Sequence, residues 1–164
     1  MATTQVLYIG EVNLQQPEEY YEASMPFDSR EVQVDLNFEG EPLEPVQLDI
    51  VNQFLKQLPQ LDAACRQIIA EDYEDAEGDT ARTYVQHHLE ELSAEEKAAL
   101  LGADEEDEAT ALLGKLHLVR IGFYPDDEEN FAMLDYSIGT ELTQYLIVLG
   151  VSANGDIAYL TMES

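Results

Sequence analysis

The spacing of apolar residues changes twice along the chain, and those two changes restrict the fold more than any motif does. Between Arg30 and Glu39, Val32, Val34, Leu36 and Phe38 alternate with Gln33, Asp35, Asn37 and Glu39, a period of two that gives a strand one wet face. Upstream, Gln5 to Ile9 is a short apolar run and Tyr20 to Phe27 a looser one, with Asp28-Ser29 placed to turn the chain. Gly40 to Pro45, with two prolines, breaks the pattern. From Val46 the period becomes helical: Val46, Ile50, Val51, Phe54, Leu55 and Leu58 share one face, and Pro59 is expected to end that helix.

A second helix places Leu61, Ala64, Cys65, Ile68, Ile69 and Tyr73 on one face, and a third does the same with Ala81, Tyr84, Val85, His88, Leu89 and Leu92. Asp79 is the expected N-cap of the third, since a carboxylate there can accept a free amide of the first turn. Ser93-Ala94-Glu95-Glu96 reads as a capping box for a short fourth helix, which Gly102 is placed to end. Asp104 is the expected cap of a fifth helix carrying Ala109, Leu112, Leu113 and Leu116. The period then returns to that of strands in four runs, Leu116 to Tyr124, Asn130 to Ile138, Gln144 to Val151 and Asp156 to Glu163, the last two joined through Asn154-Gly155, a strong hairpin signal. Tyr145 to Leu149 is apolar on both faces and is expected to be central in its sheet.

Strands, then helices, then strands is the order of an α+β fold. The expected architecture is a largely antiparallel sheet, made of the N-terminal strands and a C-terminal four-strand meander. About five helices are inserted between them and packed on one face. At 164 residues, and with no linker or repeat, one domain over residues 1–164 is expected.

Charge narrows the function. Asp and Glu number 35 against 7 Lys and Arg, a formal net charge of −28. A phosphate backbone or an anionic membrane surface is repelled by such a chain. Met1 to Gly10 has neither the basic start nor the cleavage site of a secretory signal, and no run reaches the ~18 apolar residues of a spanning helix. A soluble cytoplasmic protein is expected. The one cysteine, Cys65, falls on a helical apolar stripe and reads as a small buried hydrophobe.

Three acidic runs stand out. Asp104 to Glu108 opens a helix and complements its dipole. Asp126 to Glu129 occupies a loop between strands. Glu71, Asp72, Glu74 and Asp75 sit where the second helix ends, where the dipole is already negative and capping does not explain them. Tyr73 and Tyr84 stand where a calcium loop with Gly78 at its sixth position needs an acid and a bidentate Glu. His88 reads as a core histidine, and His87 with Glu91 as a surface i, i+4 pair. No His-Glu-x-x-His, Cys-x-x-Cys, phosphate-cradling glycine loop or nucleophile elbow occurs, so no catalytic residue, metal or cofactor is assigned.

Several stretches together resemble a family of small acidic bacterial proteins classed as a domain of unknown function: Leu7-Tyr8-Ile9-Gly10-Glu11, Glu18-Glu19-Tyr20-Tyr21, Val34-Asp35-Leu36-Asn37-Phe38, Gly78-Asp79-Thr80 with Tyr84-Val85 and His88-Leu89, Gly122-Phe123-Tyr124-Pro125, and Leu142-Thr143 before Tyr145-Leu146. Small acidic domains of this type are similar to immunity proteins of bacterial polymorphic toxin systems, and the resemblance implies a protein that neutralises a toxin by covering it. The expectation is a non-enzymatic acidic protein that binds a basic protein, a toxin domain or a nucleic-acid-binding protein, through Glu71, Asp72, Glu74 and Asp75, with Asp126, Asp127, Glu128 and Glu129 second. The alternatives are an acid excess adapted to a salty cytoplasm, and a hydrolase using a carboxylate-bound metal.

Overall fold

The computed structural model describes residues 3–102 and 107–164. Two strands, β1 (Thr3–Val6) and β2 (Gly10–Asn13), form a small antiparallel sheet, and β3 (Tyr20–Phe27) pairs with β4 (Arg30–Asn37) as a hairpin. Asp28 and Ser29 both take positive φ, 50° and 64°, the signature of a type I′ turn, whose twist matches that of its strands. Five helices follow: α1 (Pro45–Lys56), α2 (Leu58–Glu74), α3 (Thr80–Glu91), α4 (Ala94–Leu101) and α5 (Glu108–Gly114). The chain ends in the meander β5 (His117–Phe123), β6 (Ala132–Ser137), β7 (Leu146–Val151) and β8 (Ile157–Glu163).

The large sheet has the order β3-β4-β5-β6-β7-β8, and only the β4–β5 pairing is parallel. That one parallel join is what the five helices accomplish, since parallel neighbours need a long crossover. The fold is α+β, as the order of periodicities implies. Val32, Val34 and Leu36 of β4, Ile121 and Phe123 of β5, Leu134 and Tyr136 of β6, and Ile147 and Leu149 of β7 join the buried residues of the helices in one apolar cluster. The opposite face of the sheet, called here the polar face, carries Gln33, Asp35, Arg120, Asp135 and Tyr159.

Several local expectations change. Gln5 to Ile9 is not a strand: β1 stops at Val6, and Leu7-Tyr8-Ile9 turns the chain, with Tyr8 at φ 68° and Gly10 at φ 107°. The turn is held from outside, because Asn52 of α1 accepts from the Leu7 amide at 2.9 Å and donates to the Gln5 carbonyl at 2.9 Å. Pro59 lies in the first turn of α2, where a missing amide costs nothing, and α1 has already ended at Lys56. β7 is paired on both sides, yet it lies one strand in from the edge and is not central. Ser93 and Glu96 close the expected capping box, and Gly102 ends α4 at φ 85°. Asp104 lies outside the described residues; the N-cap of α5 is Asp107, which accepts from the Thr110 amide at 3.2 Å and hydroxyl at 2.7 Å.

Cys65 is fully buried, and burial, with Asp62 close by, pushes its thiol up to about 12. His88 is also buried. Its Nδ1 lies 2.7 Å from the Tyr84 carbonyl and so carries the proton, which leaves Nε2 to accept from the Thr143 hydroxyl at 2.8 Å. The His87 ring stands edge-on to Tyr145 with centroids 4.5 Å apart and makes no ion pair with Glu91 among the described residues.

Burial lowers the pKa of His88 below the ordinary 6.5, against the hydrogen bond to the Tyr84 carbonyl. Between its folded and unfolded pKa the unfolded chain binds more protons. Its contribution to stability is therefore complete above about pH 6.5 and is lost as the pH falls toward the folded value. Imidazole NMR is expected to show His88 still neutral, with Nδ1 protonated, at a pH where exposed histidines are charged. Protonation of His88 in step with them would refute the assignment.

Candidate functional site

Asp35 is the most unusual residue of the sheet, a carboxylate with no exposed surface. The alternation that sends Val34 and Leu36 into the core sends Asp35 to the polar face, and the parallel register sets Gln33 beside Arg120 and Asp35 beside Gly122. The Arg120 guanidinium lies across Gly122, in space that any Cβ there would fill. From that position Nε donates to Asp35 Oδ1 at 2.7 Å and Nη2 to Oδ2 at 2.8 Å, a bidentate fork. Gln33 Nε2 donates to Oδ1 at 3.2 Å and Asn37 Nδ2 to Oδ2 at 2.8 Å, so all four acceptor positions of Asp35 are filled. Arg120 also donates to Asp135 Oδ2 at 3.2 Å and to the Tyr124 hydroxyl at 3.1 Å.

Burial opposes the Arg120 charge, but hydrogen bonds to Asp35 and Tyr124 and the two carboxylates outweigh it and hold the guanidinium firmly protonated. Asp135 is raised above the usual carboxylate range, chiefly by burial, with Arg120 only partly offsetting it. The cluster is thus two carboxylates around one cation. Tyr20, 46% exposed, and Tyr159, whose ring packs directly on Gly150, flank it on β3 and β8.

At the C-terminal end of β5 the polar face runs into the loop that carries Asp126 to Glu129. The Tyr124 amide donates to the Phe131 carbonyl at 2.7 Å and closes the loop. Asp127 Oδ1 accepts from the Glu129 and Asn130 amides at 3.0 and 3.1 Å, and Asp126 Oδ2 accepts from the Glu39 amide at 3.0 Å. This last bond draws the end of β4 against the loop. Between them opens a cleft of about 450 Å³ with Phe38, Tyr124 and Met133 in its wall and Glu39, Asp126, Asp127, Glu128 and Glu129 around it. Five acidic residues line it, and among the described residues no lysine, arginine or histidine does.

The other acidic group has a local explanation in part. Asp72 Oδ2 accepts from the Ala81 amide at 2.7 Å, so Asp72 caps α3 from the preceding helix, and Asp79 makes no side-chain cap bond. Arg82 Nε donates to the Tyr73 carbonyl at 2.7 Å, and Asp75 Oδ1 accepts from the Glu77 amide at 2.9 Å. Glu71 and Glu74 stay exposed. No hydrogen bond or cleft joins this group to Asp126–Glu129 among the described residues. Gly78 lies against Asp72, where an added Cβ would stand 2.5 Å from the Asp72 carbonyl oxygen. Gly78→Ala is therefore expected to cost about 1–3 kcal/mol, read as a lowered urea midpoint; an unchanged midpoint would show that the corner yields freely.

No family model, curated protein or solved structure matches the chain. Its chemistry has to be read from the site alone. Among the described residues, no three His, Cys, Asp or Glu side chains gather so as to hold a metal ion, and no helix is long and apolar enough to cross a membrane.

Sequence reasoning passed over Asp35, Arg120, Asp135 and Tyr124. The signal was present in Leu118-Val119-Arg120-Ile121 and Leu134-Asp135-Tyr136, where opposite charges interrupt apolar strands in a chain with only 7 Lys and Arg.

Proposed function

We propose that the protein is a non-enzymatic acidic binding protein that neutralises a basic protein partner, a bacterial toxin domain being the class that fits the resemblance. The observation that carries this reading is the cleft beside β4 and β5, where five acidic residues surround an aromatic wall and no basic side chain lines it among the described residues. Such a cleft suits a lysine or arginine side chain of a partner, and the tyrosines of the adjoining face are residues that interfaces favour. The net charge of −28 favours a basic protein over nucleic acid or an anionic membrane. The weight moves from the α2 terminus, where Asp72 is engaged as a cap, to Asp126–Glu129, with Glu71 and Glu74 adding to the long-range field. A cytoplasmic location accords with this role.

Capture with the tagged full chain tests the reading. One basic polypeptide is expected in near-stoichiometric amount, absent from an unrelated bait of similar charge, and strongly reduced when Asp126, Asp127, Glu128 and Glu129 become Asn, Asn, Gln and Gln. Equal recovery by both baits, or by wild type and variant, would overturn it.

A second reading, adaptation to a salty cytoplasm, draws support from the few ion pairs among the described residues: Arg66–Asp62, Lys97–Glu108 and those of Arg120 with Asp35 and Asp135. Both readings expect KCl to raise stability by screening self-repulsion. Only the first expects KCl to slow a specific association.

A further inference from the structure

The polar face has a second end. Where β4 and β5 begin, a cleft of about 450 Å³ is lined by Arg30, Gln33, His117, Arg120, Asp135 and Thr140. Two of the four arginines and one of the three histidines of the chain meet there. Arg120 and Gln33 are committed to Asp35, and Asp135 to Arg120. Arg30 is not committed: its side chain makes no ion pair or hydrogen bond among the described residues, although Glu31 lines the same cleft. His117 Nδ1 bonds the Lys115 carbonyl at 3.0 Å, and its Nε2 has no partner among the described residues. Burial lowers its pKa, and the charge of Arg30 adds to that against the Lys115 carbonyl and Glu141.

We infer that this cleft is a carboxylate-binding pole, in which the Arg30 guanidinium receives an Asp or Glu side chain of the protein partner whose basic groups enter the acidic cleft. The inference rests on the docking reading above and sharpens it. The eight residues of β4, roughly 25 Å at ~3.3 Å each, separate the poles, so the partner must present charges of both signs at about that spacing. A wholly acidic surface would attract any basic protein in many orientations. An uncommitted arginine at its far end fixes one orientation and rejects partners without the matching carboxylate. Arg suits the task because its fork meets both oxygens of a carboxylate at once.

Acetate is the probe. Sodium acetate is titrated into isotopically labelled full chain against sodium chloride at matched ionic strength, following the Arg30 Nε–Hε and His117 ring resonances. Saturable shifts specific to acetate are expected, with affinity reduced about tenfold or more in Arg30→Gln, as loss of a charge-assisted bidentate pair requires, and only partly restored in Arg30→Lys. Arg30 is exposed, so the variants are expected to keep the wild-type melting temperature. Shifts no larger than those in chloride would overturn the pole and leave the acidic-cleft reading standing, because no partner enters the titration. In the second arm, the polypeptide captured by wild type is offered to Arg30→Glu, and a fall in recovery of about tenfold is expected. Acetate binding with undiminished recovery would overturn the assignment to the partner and give the pole to free carboxylates.

Discussion

Asp35→Ala is expected to destabilise the protein by about 3–5 kcal/mol, the largest effect of any single change on the polar face. The carboxylate has no exposed surface and holds four hydrogen bonds, two of them from Arg120. Its removal leaves the guanidinium with Asp135 at 3.2 Å and the Tyr124 hydroxyl. The Arg120 side chain is 26% exposed and keeps Asp135, so water and the remaining carboxylate offset part of the loss and the lower half of the range is the better expectation. Asp35→Asn keeps the shape and one acceptor and is expected to cost less. A cycle with Arg120→Met isolates the pair: the coupling is expected to be favourable, while the double variant still pays for an unpaired Asp135. Guanidinium denaturation of the four proteins is the measurement. An Asp35→Ala midpoint equal to wild type would mean that the network does not hold the centre of the sheet.

What could be read from the sequence was whatever a few consecutive residues decide. The alternation in β4, the Ser93 capping box, Gly102 and the Asp28-Ser29 turn are all local, and each is present. The departures have distant causes. Leu7 and Tyr8 are 38% and 51% exposed because Asn52, 45 residues away, fixes the backbone in a turn where apolar composition suggests a strand. The parallel pairing of β4 with β5 has no local signature; it exists because five helices bring the chain back to the same side.

The same distinction divides the site. Asp126 to Glu129 are legible as an acidic run, but their cleft is made by Phe38 and Glu39 arriving from β4. Asp72 appears unexplained until Ala81, nine residues on, is seen donating to it. Asp35 looks like one more residue on a wet strand face; its burial comes from Arg120, 85 residues away, folded over a glycine that leaves room for it. Wet-face residues of strands paired on both sides become network residues when a long side chain from the next strand lies across them, and single-strand periodicity carries no trace of that.

Association with the basic partner is expected to slow about 10- to 1000-fold as salt is raised from near zero to physiological strength and beyond. A net charge of −28 produces a field that reaches well past the surface at low salt, where the Debye length is about 30 Å at 0.01 M, and is confined to about 8 Å at 0.15 M. Most of the steering carboxylates are exposed, so they act on the encounter and contribute little once the complex is dry. The dissociation rate is therefore expected to change far less than the association rate. Neutralising Asp126, Asp127, Glu128 and Glu129 removes only part of the total charge, yet it removes the part at the docking cleft. The low-salt association rate is expected to fall about tenfold, with a shallower dependence on salt, whereas neutralising Glu71 and Glu74 is expected to lower the rate only slightly. Stopped-flow association at four or five KCl concentrations separates these cases. Equal salt slopes for the two variants would place the docking surface elsewhere. Association that does not depend on KCl, in a protein whose stability rises with it, would assign the acid excess to the solvent and leave the cleft without a charged partner.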